Sequence, residues 1–207
     1  MDERNDRSVF NAIAPIYGWF FGYQRARFRR ALQTAGVHLD LSGFRSVLDV
    51  GCGTGALAAE LHARGHEVTG VEPAQKMLAI ARQRLGGTGI PLHQADVLQG
   101  LPFPDKSFDV SIASYVAHGL QQPDRLRMYA EMARVSRHLV ILHDFNRVRS
   151  PVVTVLETME GSDYFRFIHA AEEELRGCAC GDVACFAQVR SFPVEKRANW
   201  YVGSLRT

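Results

Sequence analysis

Few cysteines, no long apolar run and almost no net charge distinguish this sequence of 207 residues. Four cysteines at this length are too few for a disulfide-built scaffold. The longest stretch without a charge lies between Arg7 and Arg25 and is broken by Asn11, Pro15 and Gly18, which leaves it short of the ~20 consecutive apolar residues that a bilayer crossing needs. Met1-Asp2-Glu3-Arg4 mixes both signs, and no small-residue cleavage site follows a clean apolar run. No signal peptide is therefore expected, and the reading is of a soluble, cytoplasmic protein without stable membrane insertion. Lysine and arginine total 24 against 22 aspartate and glutamate, a formal charge of +2, so bulk electrostatics point away from a nucleic-acid partner. What is present is globular composition, 46% hydrophobic and 22% charged. That suffices for one domain with a proper core and excludes a disordered or fibrous chain.

The hydrophobic pattern alternates short strands with helices of about ten residues. Tyr23 to Gln33 reads as a helix, with Phe28, Ala31 and Leu32 among arginines. A turn at Ser42-Gly43 leads to an apolar strand over Ser46 to Val50. Helices are expected over Ala56 to Arg64, Ala74 to Leu85 and Asp124 to Val135, and strands over His66 to Val71, Pro91 to Ala95, Phe108 to Ala113 and His138 to His143. A long helix from Pro151 to about Arg176 and two strand-like runs, Val183 to Phe192 and Asn199 to Leu205, complete the chain. This order implies an α/β fold of the Rossmann type: a mostly parallel, seven-stranded sheet with helices on both faces and an antiparallel C-terminal hairpin.

Val47-Leu-Asp-Val-Gly-Cys-Gly-Thr-Gly55 is the most informative stretch. A buried strand delivers Asp49 near its end, and Gly51, Gly53 and Gly55 allow a turn whose backbone approaches a ligand closely. A relaxed dinucleotide pattern is also met by Gly51, Gly53 and Ala56. The charge decides between the two: Asp49 would repel a pyrophosphate at the helix N-terminus, but it suits a donor that carries an ammonium and a sulfonium. With its acidic residue before Gly-x-Gly-x-Gly, the sequence resembles the class I S-adenosylmethionine-dependent methyltransferases. Three further segments match that family in order. Val68-Thr-Gly-Val-Glu-Pro73 sets Glu72 where the family binds both ribose hydroxyls. Gln94-Ala-Asp-Val97 sets Asp96 where it holds adenine, and Leu101 to Val110 resembles the run into the fourth strand. Phe10-Asn-Ala-Ile-Ala-Pro-Ile-Tyr17 is similar to the N-terminal signature of the quinone-biosynthesis subgroup, in which the tyrosine packs over the cofactor. Gly18 replaces the usual aspartate there, and Ala133 to His138 lacks the usual Pro-Gly-Gly turn.

The resemblance implies S-adenosyl-L-methionine as cofactor and S-adenosyl-L-homocysteine as product, with binding through Tyr17, Asp49, Gly51, Gly53, Gly55, Glu72, Pro73, Met77, Asp96, Val97 and Ser114. Asp96 also reads as a turn cap, and Met77 as a core residue of its helix. It further implies a single methyltransferase domain over 1–207, with 1–40 a helical lid, 46–144 the cofactor core and 150–207 the long helix and hairpin. The same resemblance makes the activity an in-line methyl transfer to a small-molecule acceptor. The alternatives are a catalytically inactive, regulatory relative that keeps the pocket and, disfavoured by Asp49, a dinucleotide oxidoreductase.

His118 follows the fourth strand at the carboxyl edge, as a base or as pocket wall. His143 and Asp144 end the fifth strand and form a candidate base and its orienter, although adjacent strand residues point to opposite faces. Trp19, Phe20 and Phe21 read either as a lid over the cofactor end or as a helix docked permanently by its rings. Arg25, Arg27, Arg29 and Arg30 read as an anionic-ligand or membrane patch or, more simply, as a solvated face with acidic partners. Cys178, Cys180 and Cys185 have no standard zinc spacing and no fourth ligand, so reduced thiols and no metal are expected. Cys52 is expected simply to fit the glycine turn.

Overall fold

The computed structural model describes residues 20–148, 163–181 and 183–206. Tyr17, Trp19 and the Phe10–Tyr17 signature lie outside the described residues, as does the first part of the helix expected from Pro151. In chain order the elements are α1 (Phe21–Ala35), β1 (Ser46–Val50), α2 (Ala56–His62), β2 (Glu67–Val71), α3 (Gln75–Arg84), β3 (Leu92–His93), β4 (Phe108–Ser114), α4 (Gln122–Val135), β5 (Ser136–Phe145), α5 (Tyr164–Arg176), β6 (Ala179–Cys180), β7 (Val183–Ala184), β8 (Phe186–Glu195) and β9 (Ala198–Leu205). Short 3₁₀ turns lie at Val97–Gln99 and Ala117–Gly119.

Seven strands form one sheet in the order β3-β2-β1-β4-β5-β9-β8. Pairing is parallel from β3 to β5, and β9 enters antiparallel between β5 and β8. Because β2 lies on one side of β1 and β4 on the other, the strand order reverses at β1. That reversal opens a crevice at the carboxyl ends, the place where open α/β sheets bind ligands.

The pleat splits the core into two layers. Val47, Ile112, Ile141 and Val202 face the helices α1 and α2 through Ala31, Leu32, Leu57 and Leu61. Leu48, Val140, Leu142 and Tyr201 face α4 and α5 through Met128, Met132, Phe167 and Leu175. Phe21 packs against the first layer and Phe20 is exposed. Buried Glu60 gathers Arg25, Arg29 and Arg64 at 2.8, 3.1 and 3.3 Å, and Arg27 pairs with Glu195. The arginine-rich face of α1 thus has the acidic partners that its simpler reading requires.

Two expectations are corrected. The run expected from Val183 to Phe192 is broken at Cys185, and β6 with β7 forms a separate two-stranded hairpin. Cys180 and Cys185 are disulfide-bonded rather than reduced. The reason is local: the β6–β7 turn and a 2.9 Å hydrogen bond from Cys185 N to Cys178 O fold the cysteine-bearing segment back on itself. Among the described residues no helix is long and apolar enough to cross a membrane, and no group of side chains is arranged to hold a metal ion.

Candidate active site

β1 ends at Val50, and the chain turns at once through Gly51 to Gly55, which precedes α2 in a left-handed conformation (φ 81°). The amides of Gly51 and Cys52 both donate to the Val71 carbonyl at 2.9 Å, tying the turn to the tip of β2. A Cβ on Gly51 would lie 2.7 Å from Val116 Cγ2, and one on Gly55 would lie 2.6 Å from Leu85 Cδ1. Both positions also have positive φ, so any side chain there meets both strain and overlap. Gly53 has more room, its nearest neighbour being Met77 Cε at 3.5 Å. Met77 is buried and lies against the middle of the turn. Cys52 fills the space over Gly70.

Three carboxylates surround this turn. Asp49 is only 1% exposed, and neither of its oxygens has a hydrogen-bond partner among the described residues. Burial pushes its pKa up to about 7; the nearby Ala58 amide opposes this and the charge of Glu72 adds to it. Glu72 accepts from Gly53 N and Ala74 N, each at 2.9 Å. Burial holds its carboxyl above the ordinary range against those two amides, and Asp96 adds to the rise. Asp96 accepts from Leu98 N at 3.0 Å and caps the 3₁₀ turn that begins at buried Val97. The Pro73 carbonyl accepts from Gln94 Nε2 at 3.3 Å. Ser114 Oγ, at the end of β4, is buried without a partner among the described residues.

An unpartnered buried carboxyl is costly. Asp49 therefore supplies a test of which ligand suits the crevice: a cation relieves the cost, and a diphosphate aggravates it. The residues present fit an adenosyl donor with an ammonium group and do not fit a dinucleotide.

The second half of the site is built on the segment after β4. Tyr115 has a left-handed backbone (φ 54°), which swings the chain into the 3₁₀ turn bearing His118. His118 Nδ1 lies 2.8 Å from Asp144 Oδ1, and its backbone amide donates to Oδ2 at 3.2 Å. Its ring packs edge-on to Phe145 at 4.7 Å between centroids, and Phe145 continues to Tyr164 at 5.3 Å. Tyr115 OH donates to Glu195 at 3.0 Å and accepts from Arg27 at 2.8 Å. Burial would raise the Glu195 carboxyl, but Arg27 draws it below its ordinary range.

His143 is placed differently from His118. It is 2% exposed, accepts from Trp200 Nε1 at 3.0 Å through Nδ1, and touches the rings of Phe28 and Tyr115. Burial lowers its pKa to about 4. The pleat turns His143 toward the α1 layer and Asp144 toward the opposite one, so the adjacent His143–Asp144 pair does not form. Asp144 serves His118 instead, a pairing that the alternation along β5 hints at but does not identify. The Arg27–Tyr115–Glu195 triad was not anticipated from the sequence.

Comparison with known proteins shows what the chain is similar to. A family described as Methyltransferase domain matches residues 47–138. A phosphatidylethanolamine N-methyltransferase of Cereibacter sphaeroides is 36% identical over 147 residues, which is 68% of this chain and 68% of that protein. A demethylmenaquinone methyltransferase of Thermus thermophilus is 41% identical over 115 residues, 51% of this chain and 50% of that protein. The chain spans half or less of several other curated relatives. In fold, the crystal structure of magnesium protoporphyrin IX methyltransferase from Synechocystis PCC 6803 with bound SAH has a TM-score of 0.67 at 18% identity, covering 99% of this chain and 100% of that one.

Proposed function

The chain belongs to the S-adenosylmethionine-dependent methyltransferases, and we propose that it methylates a small, partly apolar acceptor, with His118 as the base that takes the acceptor's proton. The observation that carries the reading is Asp49: a buried carboxyl without a partner among the described residues, at the tip of β1 beside a turn in which Gly51 and Gly55 leave no room for a Cβ. Asp49 would hold the donor's ammonium, Glu72 its ribose diol, and Asp96 with the Val97 amide its adenine. Met77, Pro73 and Ser114 would line the same crevice. When bound, the donor supplies an electrophilic methyl group on a sulfonium. The chain supplies alignment and a dry, polarised site.

Asp144 fixes the His118 ring. With Nδ1 directed to the carboxylate, the lone pair resides on Nε2, which is the atom that would accept the acceptor's proton. Phe145, Tyr164 and Tyr115 give this part of the site an aromatic wall. Such a wall favours an acceptor with an apolar body and one ionisable O–H or N–H. The curated relatives that act on phosphatidylethanolamine and demethylmenaquinone, by their names, take acceptors of that general character.

Isothermal titration with S-adenosylmethionine and its demethylated product is the direct test. Binding is expected for wild type, and Asp49→Asn should weaken it at least about tenfold, the loss expected for one charge-assisted contact. Absence of binding at millimolar ligand would overturn the proposal. Labelled methyl transfer into a metabolite extract then identifies the acceptor.

A further inference from the structure

The β6–β7 hairpin and the segment that follows it bring three sulfur atoms together. Cys185 is bonded to Cys180, and its Sγ also lies 3.1 Å from Cys178 Sγ. Cys178 and Cys185 are buried at 2% and 6% exposure, whereas Cys180 is exposed. The backbone brings Cys185 close to both other cysteines, with 5.2 Å between its Cα and that of Cys180. Cys185 N donates to Cys178 O at 2.9 Å, and the β6–β7 ladder sets Cys180 opposite Val183. Cys185 is thus within reach of two partners, one inside and one at the surface.

The disulfide opens onto a groove of about 640 Å³ that Val97, Lys106, Arg134 and Leu205 also line. Leu98 and Ala130 give the groove apolar walls; of its four cations, Arg134 is paired with the lining carboxylates Asp105 and Glu131 and Arg127 with Asp124, which leaves Lys106 and Arg206 as the cationic excess. This balance favours an anionic occupant.

We propose that Cys178, Cys180 and Cys185 form a thiol–disulfide exchange site, with Cys185 as the shared sulfur, that presents Cys180 to a small anionic disulfide in the adjoining groove. In the first step the Cys178 thiolate attacks Cys185 Sγ. The Cys178–Cys185 bond forms and the Cys180–Cys185 bond breaks. The electron pair leaves on Cys180 Sγ, which takes up the proton that Cys178 gave up. Nothing is oxidised or reduced overall. In the second step the Cys180 thiolate attacks a disulfide R–S–S–R, which gives Cys180–S–S–R and releases R–S⁻. Burial pushes the Cys178 thiol up to about 11, so the first step is slow and proceeds on the scale of minutes to hours typical of uncatalysed rearrangement. The site is independent of methyl transfer and stands whether or not the acceptor assignment does.

The test uses the full chain purified without reductant. Alkylation and peptide mass spectrometry map the linkages before and after overnight incubation with oxidised glutathione, the anionic probe, or cystamine, the cationic one. Both Cys180–Cys185 and Cys178–Cys185 linkages are expected in wild type, with glutathione on Cys180 at least about tenfold more than in Cys178→Ala. Cys178→Val refills the buried space and should behave like Cys178→Ala, which guards against a folding defect. Glutathione should exceed cystamine at low ionic strength. Alkylation of all three of Cys178, Cys180 and Cys185 before any reduction, or equal glutathionylation of Cys180 with and without Cys178, would overturn the exchange. Equal or greater reaction with cystamine would overturn the anionic groove.

Discussion

His118 Nδ1 and Asp144 Oδ1 stand 2.8 Å apart, and Asp144 Oδ2 also takes the backbone amide of His118, so one buried carboxylate fixes both the ring and the turn that carries it. If His118 is the base, His118→Ala should lower kcat by about 10²- to 10⁴-fold, the usual share of a positioned base. Cofactor affinity should not change, because the residue sits beyond the glycine turn. Asp144→Asn should lower kcat with little change in cofactor Kd, through loss of the tautomer that Asp144 selects. A His118→Ala enzyme within threefold of wild type would remove the ring from this role.

Gly51 and Val116 link the two halves of the site by close packing. Gly51→Ala should cost about 2–4 kcal/mol in urea unfolding, combining an unfavourable positive φ with overlap on Val116. Val116→Ala in the same chain should recover the overlap part and leave the backbone part. Gly53→Ala, with ordinary contact to Met77, should cost only about 1–2 kcal/mol, the price of a left-handed alanine. Equal losses at Gly51 and Gly53 would mean that the clash with Val116 relaxes freely.

How far the sequence reaches is seen by comparing Glu72 with Glu60. Glu72 is recognisable because it directly follows an apolar strand and precedes Pro73, and local pattern suffices to place it at that strand's carboxyl end beside the glycine turn. Glu60 looks like an ordinary helical acid, yet Arg25 and Arg29 come to it from more than thirty positions away and bury it. Asp144 is similar, since its partner His118 depends on a left-handed Tyr115, which no composition signals. The strands with continuous aliphatic runs, β1 and β5, were readable for the same reason that Glu72 was. The break at Cys185 was not, because a disulfide and a two-residue hairpin interrupt a run that otherwise reads as strand.

Asp49 and His143 should impose opposite pH slopes on stability. Asp49 has a folded pKa of about 7 against an ordinary value of 3.8, so the native state holds its proton more tightly. Its contribution favours folding at low pH and is lost as pH rises from about 4 to about 7. His143 has a folded pKa of about 4 against 6.5, so its contribution is present above about 6.5 and is lost as pH falls toward 4. In wild type the two partly cancel between pH 4 and 6.5. Asp49→Asn should therefore make the apo protein more acid-sensitive, and His143→Gln, whose amide can still accept from Trp200, should make it less so. Thermal unfolding across this range reads both. Because a cationic donor favours ionised Asp49, its affinity should also rise with pH up to about 7, by at most about tenfold per unit for one linked proton. A flat affinity profile with unchanged slopes in both variants would mean that neither group titrates in this window.

Arg125 tests how far stability and turn geometry can be separated. Its guanidinium is fully buried, is held by Glu174 through two 2.7 Å hydrogen bonds, and donates to the Leu120 carbonyl at 2.6 Å, just after the turn bearing His118. Asp163 lies 3.0 Å from the same group. Glu174→Ala strips away the bidentate partner and should cost about 3–5 kcal/mol, as expected when one member of a buried ion pair is removed. Replacing both residues, Arg125→Met with Glu174→Leu, removes the buried pair together and leaves only the part-exposed Asp163 without its partner, so stability should return to within about 1–2 kcal/mol of wild type. Activity should not return with it. The double variant still lacks the donor to Leu120, so the His118 turn loses a support that an apolar side chain cannot provide, and kcat should stay below wild type while cofactor Kd stays near it. Full recovery of kcat in the double variant would show that the turn is held by Asp144 alone.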